Sequence, residues 1–282
     1  MIGVKPWDTV PDVPSSVAVL CDIHGNAPAL DAVLAELAAE PPDAVVIGGD
    51  VAAGPMPREV LARLRALPWP LHFLRGNADR VLVMAYDDDA PEDVRAHPLW
   101  PSDRWTAERL PREERDFLAA LPPLVRLELD GLGDVLFCHG TPRSDEERVT
   151  VFTPEARLAA VLATAGASLV VGGHTHRQFD RVAGGVRMVN AGSVGRPYEP
   201  AAGAYWLRLG PGVELRRTPY DTDAATAAFA AVGYPTAREM LAPVDADAVA
   251  RKYEALGDSP VADASLTQAW SAPRAARSAD VP

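Results

Sequence analysis

Residues 17–26 read Val17-Ala18-Val19-Leu20-Cys21-Asp22-Ile23-His24-Gly25-Asn26. A short apolar run containing β-branched residues leads directly into Asp22 and His24, so it reads as a buried strand presenting oxygen and imidazole donors at its C-terminal end. A helix follows. Asn26 suits an N-cap, Pro28 suits the first turn, and Leu30, Val33, Leu34 and Leu37 recur at helical spacing until Pro41 and Pro42 end it.

The same cycle repeats downstream. Residues 44–47 form a second predicted strand, ending at Gly48-Gly49-Asp50, and residues 57–67 a second helix. Residues 71–74 form a third strand, ending at Gly76-Asn77. Strands alternating with helices imply a parallel sheet with helical crossovers, and such a sheet places its binding crevice at the strand C-termini. Residues 87–110 break this rhythm with Asp87-Asp88-Asp89, then Pro91, Pro98 and Pro101 and the tryptophans Trp100 and Trp105, and read as an insertion or cap.

Helix is expected again over 111–121 and a half-buried strand over 124–129. A strand over 135–138 then delivers His139. Thr153 is the expected cap of a helix reaching about 165, and residues 169–171 lead to Gly172-Gly173-His174-Thr175-His176. Later strands are expected near 186–190, 204–209 and 213–218, antiparallel and hairpin-linked, the last two joined across Gly210-Pro211-Gly212. The resulting division is a disordered extension over 1–16, one domain over 17–220, a helical appendage over 221–256 and a disordered tail over 257–282.

Composition narrows the function classes. A chain of 282 residues with 48% hydrophobic content is long enough for one sizeable core. Apolar runs are interrupted too often to suggest a membrane span, and residues 1–16 lack the apolar centre of a signal peptide, so a soluble, cytoplasmic protein is expected. The net charge of −12 disfavours long nucleic acid and suits a small phosphorylated substrate drawn in by metal charge. Cys21 and Cys138 each precede a candidate ligand and read as buried thiols rather than a disulfide. The helices over 221–256 offer a possible homo-oligomer contact or a lid.

Two aspartates, one asparagine and four of the six histidines fall in five short segments: Asp22 and His24, Asp50, Asn77, His139, and His174 with His176. Seven such donors, with no thiolate among them, suit two divalent ions if one carboxylate bridges, with Mn, Fe or Zn the expected metals. Two ions about 3.5–4 Å apart can hold a bridging hydroxide and grip a phosphoryl group.

In order and spacing, Asp22-Ile23-His24-Gly25-Asn26, Gly49-Asp50, Gly76-Asn77, His139-Gly140 and Gly173-His174-Thr175-His176 resemble the calcineurin-like metallophosphoesterases, over about residues 17–220. Gly76-Asn77-Ala78-Asp79 is similar to the Gly-Asn-x-Asp motif of the small bacterial phosphodiesterase-like branch. The resemblance implies a four-layer α/β/β/α sandwich of two mixed sheets. It also implies that Asp22, His24 and His176 hold one ion, that Asn77, His139 and His174 hold the other, and that Asp50 bridges. A carboxylate is the reasonable bridge, because it has lone pairs for two cations and offsets their repulsion. Asp50, Asn77 and His139 are the residues expected at the chemistry.

One position departs from the family pattern. Many relatives carry a histidine after the motif asparagine, where it is thought to contact the phosphate or protonate the leaving group, and this chain has Ala78. His97 is a conceivable substitute. Asp79 is expected to cap the following helix or pair with Arg80, and Asn26, Asp79 and Arg80 are candidate supporting or phosphate contacts, with Arg143 and Arg177 as further forks. The resemblance thus implies hydrolysis of a small phosphodiester by a metal-bridging hydroxide. A phosphomonoesterase (nucleotide or protein phosphatase) is the enzymatic alternative, and a non-catalytic metal-binding scaffold the alternative of another class.

Overall fold

Along the central strands, apolar side chains alternate between two packing interfaces, and this alternation builds the molecule. A computed structural model describes residues 13–256. The expected disordered tail over 257–282 and residues 1–12 of the expected extension lie outside the described residues.

The first sheet contains β1 (Val17–Leu20), β2 (Ala44–Gly48), β3 (Leu71–Leu74), β9 (Ala204–Leu209) and β10 (Val213–Thr218), in the order β10-β9-β1-β2-β3. Strands β1, β2 and β3 are parallel, whereas β9 runs antiparallel beside β1 and pairs with β10 as a hairpin. The second sheet contains β4 (Leu124–Leu129), β5 (Gly133–Cys138), β6 (Leu169–Gly172), β7 (Phe179–Ala183) and β8 (Val186–Asn190), in the order β4-β5-β6-β8-β7.

Val17, Val19, Val46, Leu207 and Leu209 of the first sheet pack against Val135, Phe137, Val171 and Val189 of the second. The alternate residues point outward: Ala18, Leu20, Val45 and Ile47 meet α1 (Ala27–Ala39) and α2 (Pro57–Arg65), while Leu136, Val170 and Met188 meet α7 (Glu155–Leu162). The result is an α/β/β/α sandwich of two mixed sheets. Each fully buried Val or Leu in these layers contributes about 1.5–3 kcal/mol.

Two local expectations need correction. Strand β8 pairs parallel with β6 and forms its hairpin with β7, across Gly184-Gly185, rather than joining β9. Strand β7 is missing from the sequence reading because it lies at the sheet edge, where Asp180 and Val182 face outward and dilute the apolar pattern. Thr153 does not cap α7. Pro154 holds that position, and the Thr153 hydroxyl accepts from the Thr150 amide.

Residues 77–119 are mostly helical: α3 (Asn77–Asp87), α4 (Glu92–Arg95), α5 (Trp100–Ala107) and α6 (Arg112–Ala119), with α3 packed on α5 and α6. After β10, Asp221 caps α8 (Thr222–Ala231) by accepting from the Ala224 amide. Helix α9 (Ala246–Leu256) docks beside α7, where the Glu254 carboxylate accepts from Arg157 Nη1 at 2.8 Å and from the Thr150 and Thr153 hydroxyls. No helix among the described residues is long and apolar enough to cross a membrane.

Candidate metal centre

The parallel strands β1, β2, β5 and β6 end at one edge of the sandwich, and each is followed there by one or more of the predicted ligands. Asp22, His24, Asp50, His174 and His176 all have positive φ, between 48° and 66°. That region is costly for residues other than glycine and persists where the surroundings enforce it, so the backbone is strained where the donors gather. Glycine is required beside them. A Cβ at Gly76 would collide with Asp50 Oδ1, and one at Gly173 with Asp22 Oδ2.

The donors converge closely. Asp22 Oδ1 lies 3.2 Å from His176 Nε2, 3.8 Å from His139 Nε2 and 3.9 Å from His24 Nε2. Asp50 Oδ2 lies 3.5 Å from His139 Nε2 and 3.6 Å from His24 Nε2. Asn77 Oδ1 is 3.0 Å from His139 Nε2, and the ring of His174 is centred 5.1 Å from that of His139. One atom from each of Asp22, His24, Asp50 and His176 falls within 4.8 Å of the others.

Backbone carbonyls orient three of the imidazoles. Nδ1 of His24 donates to the Ala53 carbonyl at 3.1 Å, Nδ1 of His139 to that of Gly48 at 2.9 Å, and Nδ1 of His176 to that of Arg196 at 2.6 Å. A carbonyl only accepts, so Nδ1 carries a proton in each ring, and in the neutral form the Nε2 lone pair turns inward, as in metal-binding histidines. His174 is reversed. Its Nε2 donates to the Glu146 carbonyl at 3.1 Å, leaving Nδ1 with the lone pair.

Asp22 is fully buried, its Oδ2 accepts from the His174 amide, and its Oδ1 has no hydrogen-bond partner. An orphaned buried carboxylate oxygen surrounded by imidazole lone pairs is unfavourable by itself and favourable around a cation. Protonation states agree. Burial lowers His24 to about 4 against the pull of Asp50, and burial with the His139 charge lowers His174 to about 3. Burial opposes ionisation of Asp50, but the His139 charge and hydrogen bond outweigh it and hold the carboxyl well below its usual range. The cradle therefore offers ionised carboxylates and at least two neutral imidazoles at neutral pH. These residues could hold metal.

Around the cradle, several assignments change. Asp79 caps α3 as expected, accepting from the Gly76 amide at 3.0 Å, but it also accepts from the amides of Asp50 at 2.8 Å and Val51 at 2.9 Å, so it pins the loop carrying Asp50 to the start of α3 and does not pair with Arg80. Arg80 is 3% exposed and committed to Asp145 at 3.1 Å and Glu146 at 2.8 Å. Arg143 pairs with Glu147, and Arg177 with Asp247. Asn26 is fully engaged, accepting from the Ala29 amide and donating to the Gly195 carbonyl and the Tyr220 hydroxyl. Ala78 donates its amide to Asp50 Oδ1 at 2.8 Å. His97 is exposed, with Nδ1 accepting from the Leu99 amide at 3.3 Å.

Residues that sequence reasoning passed over also border the cradle. Tyr198 stacks on His176, ring centroids 4.8 Å apart and planes 22° apart, and Tyr253 of α9 meets Tyr198 edge-on at 5.9 Å. Asp103 on α5 is raised to about 7 by burial, with the Asp50 charge adding and Arg196 opposing. None of these carries a local motif, because each reaches the site only through tertiary packing of segments distant in sequence.

Residues 16–208 match the profile of the calcineurin-like phosphoesterase superfamily domain, and the chain belongs to that family. No curated protein matches the chain. Among solved structures it is similar to a hypothetical protein of Pyrococcus horikoshii, with 22% identity and a TM-score of 0.68 over 80% of this chain and 96% of that one. It is likewise similar to a metallophosphoesterase from Sphaerobacter thermophilus, with 23% identity and a TM-score of 0.64 over 80% and 97%. Both likenesses concern the fold. The protein is a metal-dependent phosphoester hydrolase.

Proposed function

We propose that the chain is a two-ion phosphodiesterase for a small phosphorylated molecule. The unpaired oxygen of Asp22, fully buried and 3.2 Å from an imidazole lone pair, is the observation that supports it most strongly. Asp22, His24 and His176 would hold one ion, Asn77, His139 and His174 the other, and Asp50 both, with Mn, Fe or Zn matching the oxygen and nitrogen donors. When bound, such ions supply Lewis acidity to a phosphoryl group and activate a water.

The chain's own residues do the positioning. Asp79 fixes the backbone of residues 50 and 51, and the Ala78 amide orients the Asp50 carboxylate. Carbonyls aim the Nε2 atoms of three imidazoles, so little reorganisation is needed on binding. At Ala78 no side chain can donate a proton, and a positioned acid is typically worth about 10²–10⁴-fold. The reading therefore favours substrates whose leaving group departs readily as an anion.

Paired assays with added Mn²⁺ test this. Bis(p-nitrophenyl) phosphate is expected to turn over faster than p-nitrophenyl phosphate. Faster monoester turnover overturns the diester assignment.

A further inference from the structure

The rim of the cradle carries a second cationic feature that the metal site does not use. Arg80, Arg143 and Arg177 are each tied to carboxylates, yet neither Arg148 nor Arg196 pairs with a carboxylate among the described residues. Nε of Arg196 is buried and lacks a hydrogen-bond partner. In a chain of net charge −12, two guanidiniums beside one site with no ion pair to a carboxylate mark a place for an anion.

Their geometry joins them to the cradle. Arg196 lies 6.0 Å from the ring centroid of Tyr198, and its carbonyl orients His176. Arg148 lies 5.7 Å from the ring centroid of Tyr253, in the segment whose Glu146 carbonyl accepts from His174 and whose Val149 carbonyl accepts from Thr175. Tyr198 and Tyr253 meet edge-on, making a continuous aromatic ledge from His176 to the two cations. Both positive charges also act on His97, whose pKa burial lowers first and these charges lower further.

We propose that Arg148 and Arg196 clamp a second phosphoryl group, adjacent to the one held at the metal cradle, and that the substrate is a diesterified pyrophosphate, whose phosphorus at the cradle bears one ester oxygen and the bridging anhydride oxygen. This rests on the phosphodiesterase reading and specifies its leaving group. Water's oxygen bonds to the phosphorus at the cradle, the bridging P–O bond breaks, and the leaving phosphate takes the electron pair. Water's proton passes to solvent. A phosphate leaves as a stabilised anion beside two guanidiniums, so no acid is needed at Ala78.

The test is calorimetric titration of the full-length, Mn-loaded, dialysed protein with methylenediphosphonate and with methylphosphonate. The wild type is expected to bind the diphosphonate roughly tenfold tighter or more, and Arg148→Gln and Arg196→Gln to lose about tenfold for the diphosphonate with little change for methylphosphonate. Arg148→Lys and Arg196→Lys, which keep the charge, should lose less and serve if a Gln variant melts early. Equal losses for both probes, or no loss for either, overturn the clamp. Turnover of bis(p-nitrophenyl) phosphate reports separately on the phosphodiesterase reading, so failure of one is distinguishable from failure of the other.

Discussion

His24 Nε2 faces His176 Nε2 at 3.1 Å, and each ring has its Nδ1 proton engaged by a backbone carbonyl. Two nitrogen lone pairs at that distance repel unless a cation lies between or beside them. With His24 lowered to about 4 mainly by burial, a proton on that ring does not fill the role at neutral pH. Metal-loaded protein should therefore be more stable than metal-free protein. At a hundredfold excess of Mn²⁺ over its Kd, the gain is about 2.7 kcal/mol, or roughly 5–10 °C in melting temperature for a domain of this size. Thermal melts with Mn²⁺ and with a chelator check this, and His24→Ala should reduce the difference.

Asp79 is predicted to matter through the loop it holds. Asp79→Asn replaces an acceptor of three amides with a group that also donates, leaving at least one buried N–H unpaired at a cost of about 1–3 kcal/mol. Urea titration should show a lower midpoint with an unchanged m value, and kcat should fall because Asp50 loses its fixed position.

Gly173→Ala and Gly76→Ala should separate the site from the fold. Either Cβ would meet a carboxylate oxygen of the cradle, Asp22 Oδ2 or Asp50 Oδ1, and would displace it. Both variants are expected to lose most of their metal affinity. A surface control, Gly131→Ala, meets no atom at its Cβ and should bind metal as the wild type does, with a modest stability loss from its φ of 75°.

Asp103 predicts a pH dependence of stability. Burial raises its folded pKa from 3.8 to about 7, so between those values the folded state binds more protons than the unfolded state. Stability contributed at this position is thus present at low pH and lost as pH rises through that window, by at most about 1.4 kcal/mol per pH unit. Asp103→Asn should remove the slope, so its stability relative to wild type rises between pH 4.5 and 7.5. Parallel curves for the two proteins would remove Asp103 as the cause.

Much of this architecture was legible because local and global signals agree. In residues 17–39 the apolar run, the Asn26 cap and the Pro28 start all appear in the structure as β1 and α1. The five ligand segments were readable for the same reason: each follows a strand, and strand order brings those ends together. What the sequence hid depends on tertiary contact. Arg80 resembles a free fork until Asp145 and Glu146 close on it, and Arg148 looks like any surface arginine until Tyr253 arrives from α9 over a hundred residues away. Edge strand β7 escaped because only one of its faces is covered.

The proposed bridge at Asp50 ties two ions to the chemistry, so losing it should end turnover. Elemental analysis of the purified protein after Mn²⁺ loading, on wild type and Asp50→Asn in parallel with bis(p-nitrophenyl) phosphate turnover, tests it directly. Two ions per wild-type chain are expected, and one or fewer in Asp50→Asn with turnover lost to the same extent. Asp50→Asn holding two ions with turnover intact would contradict it.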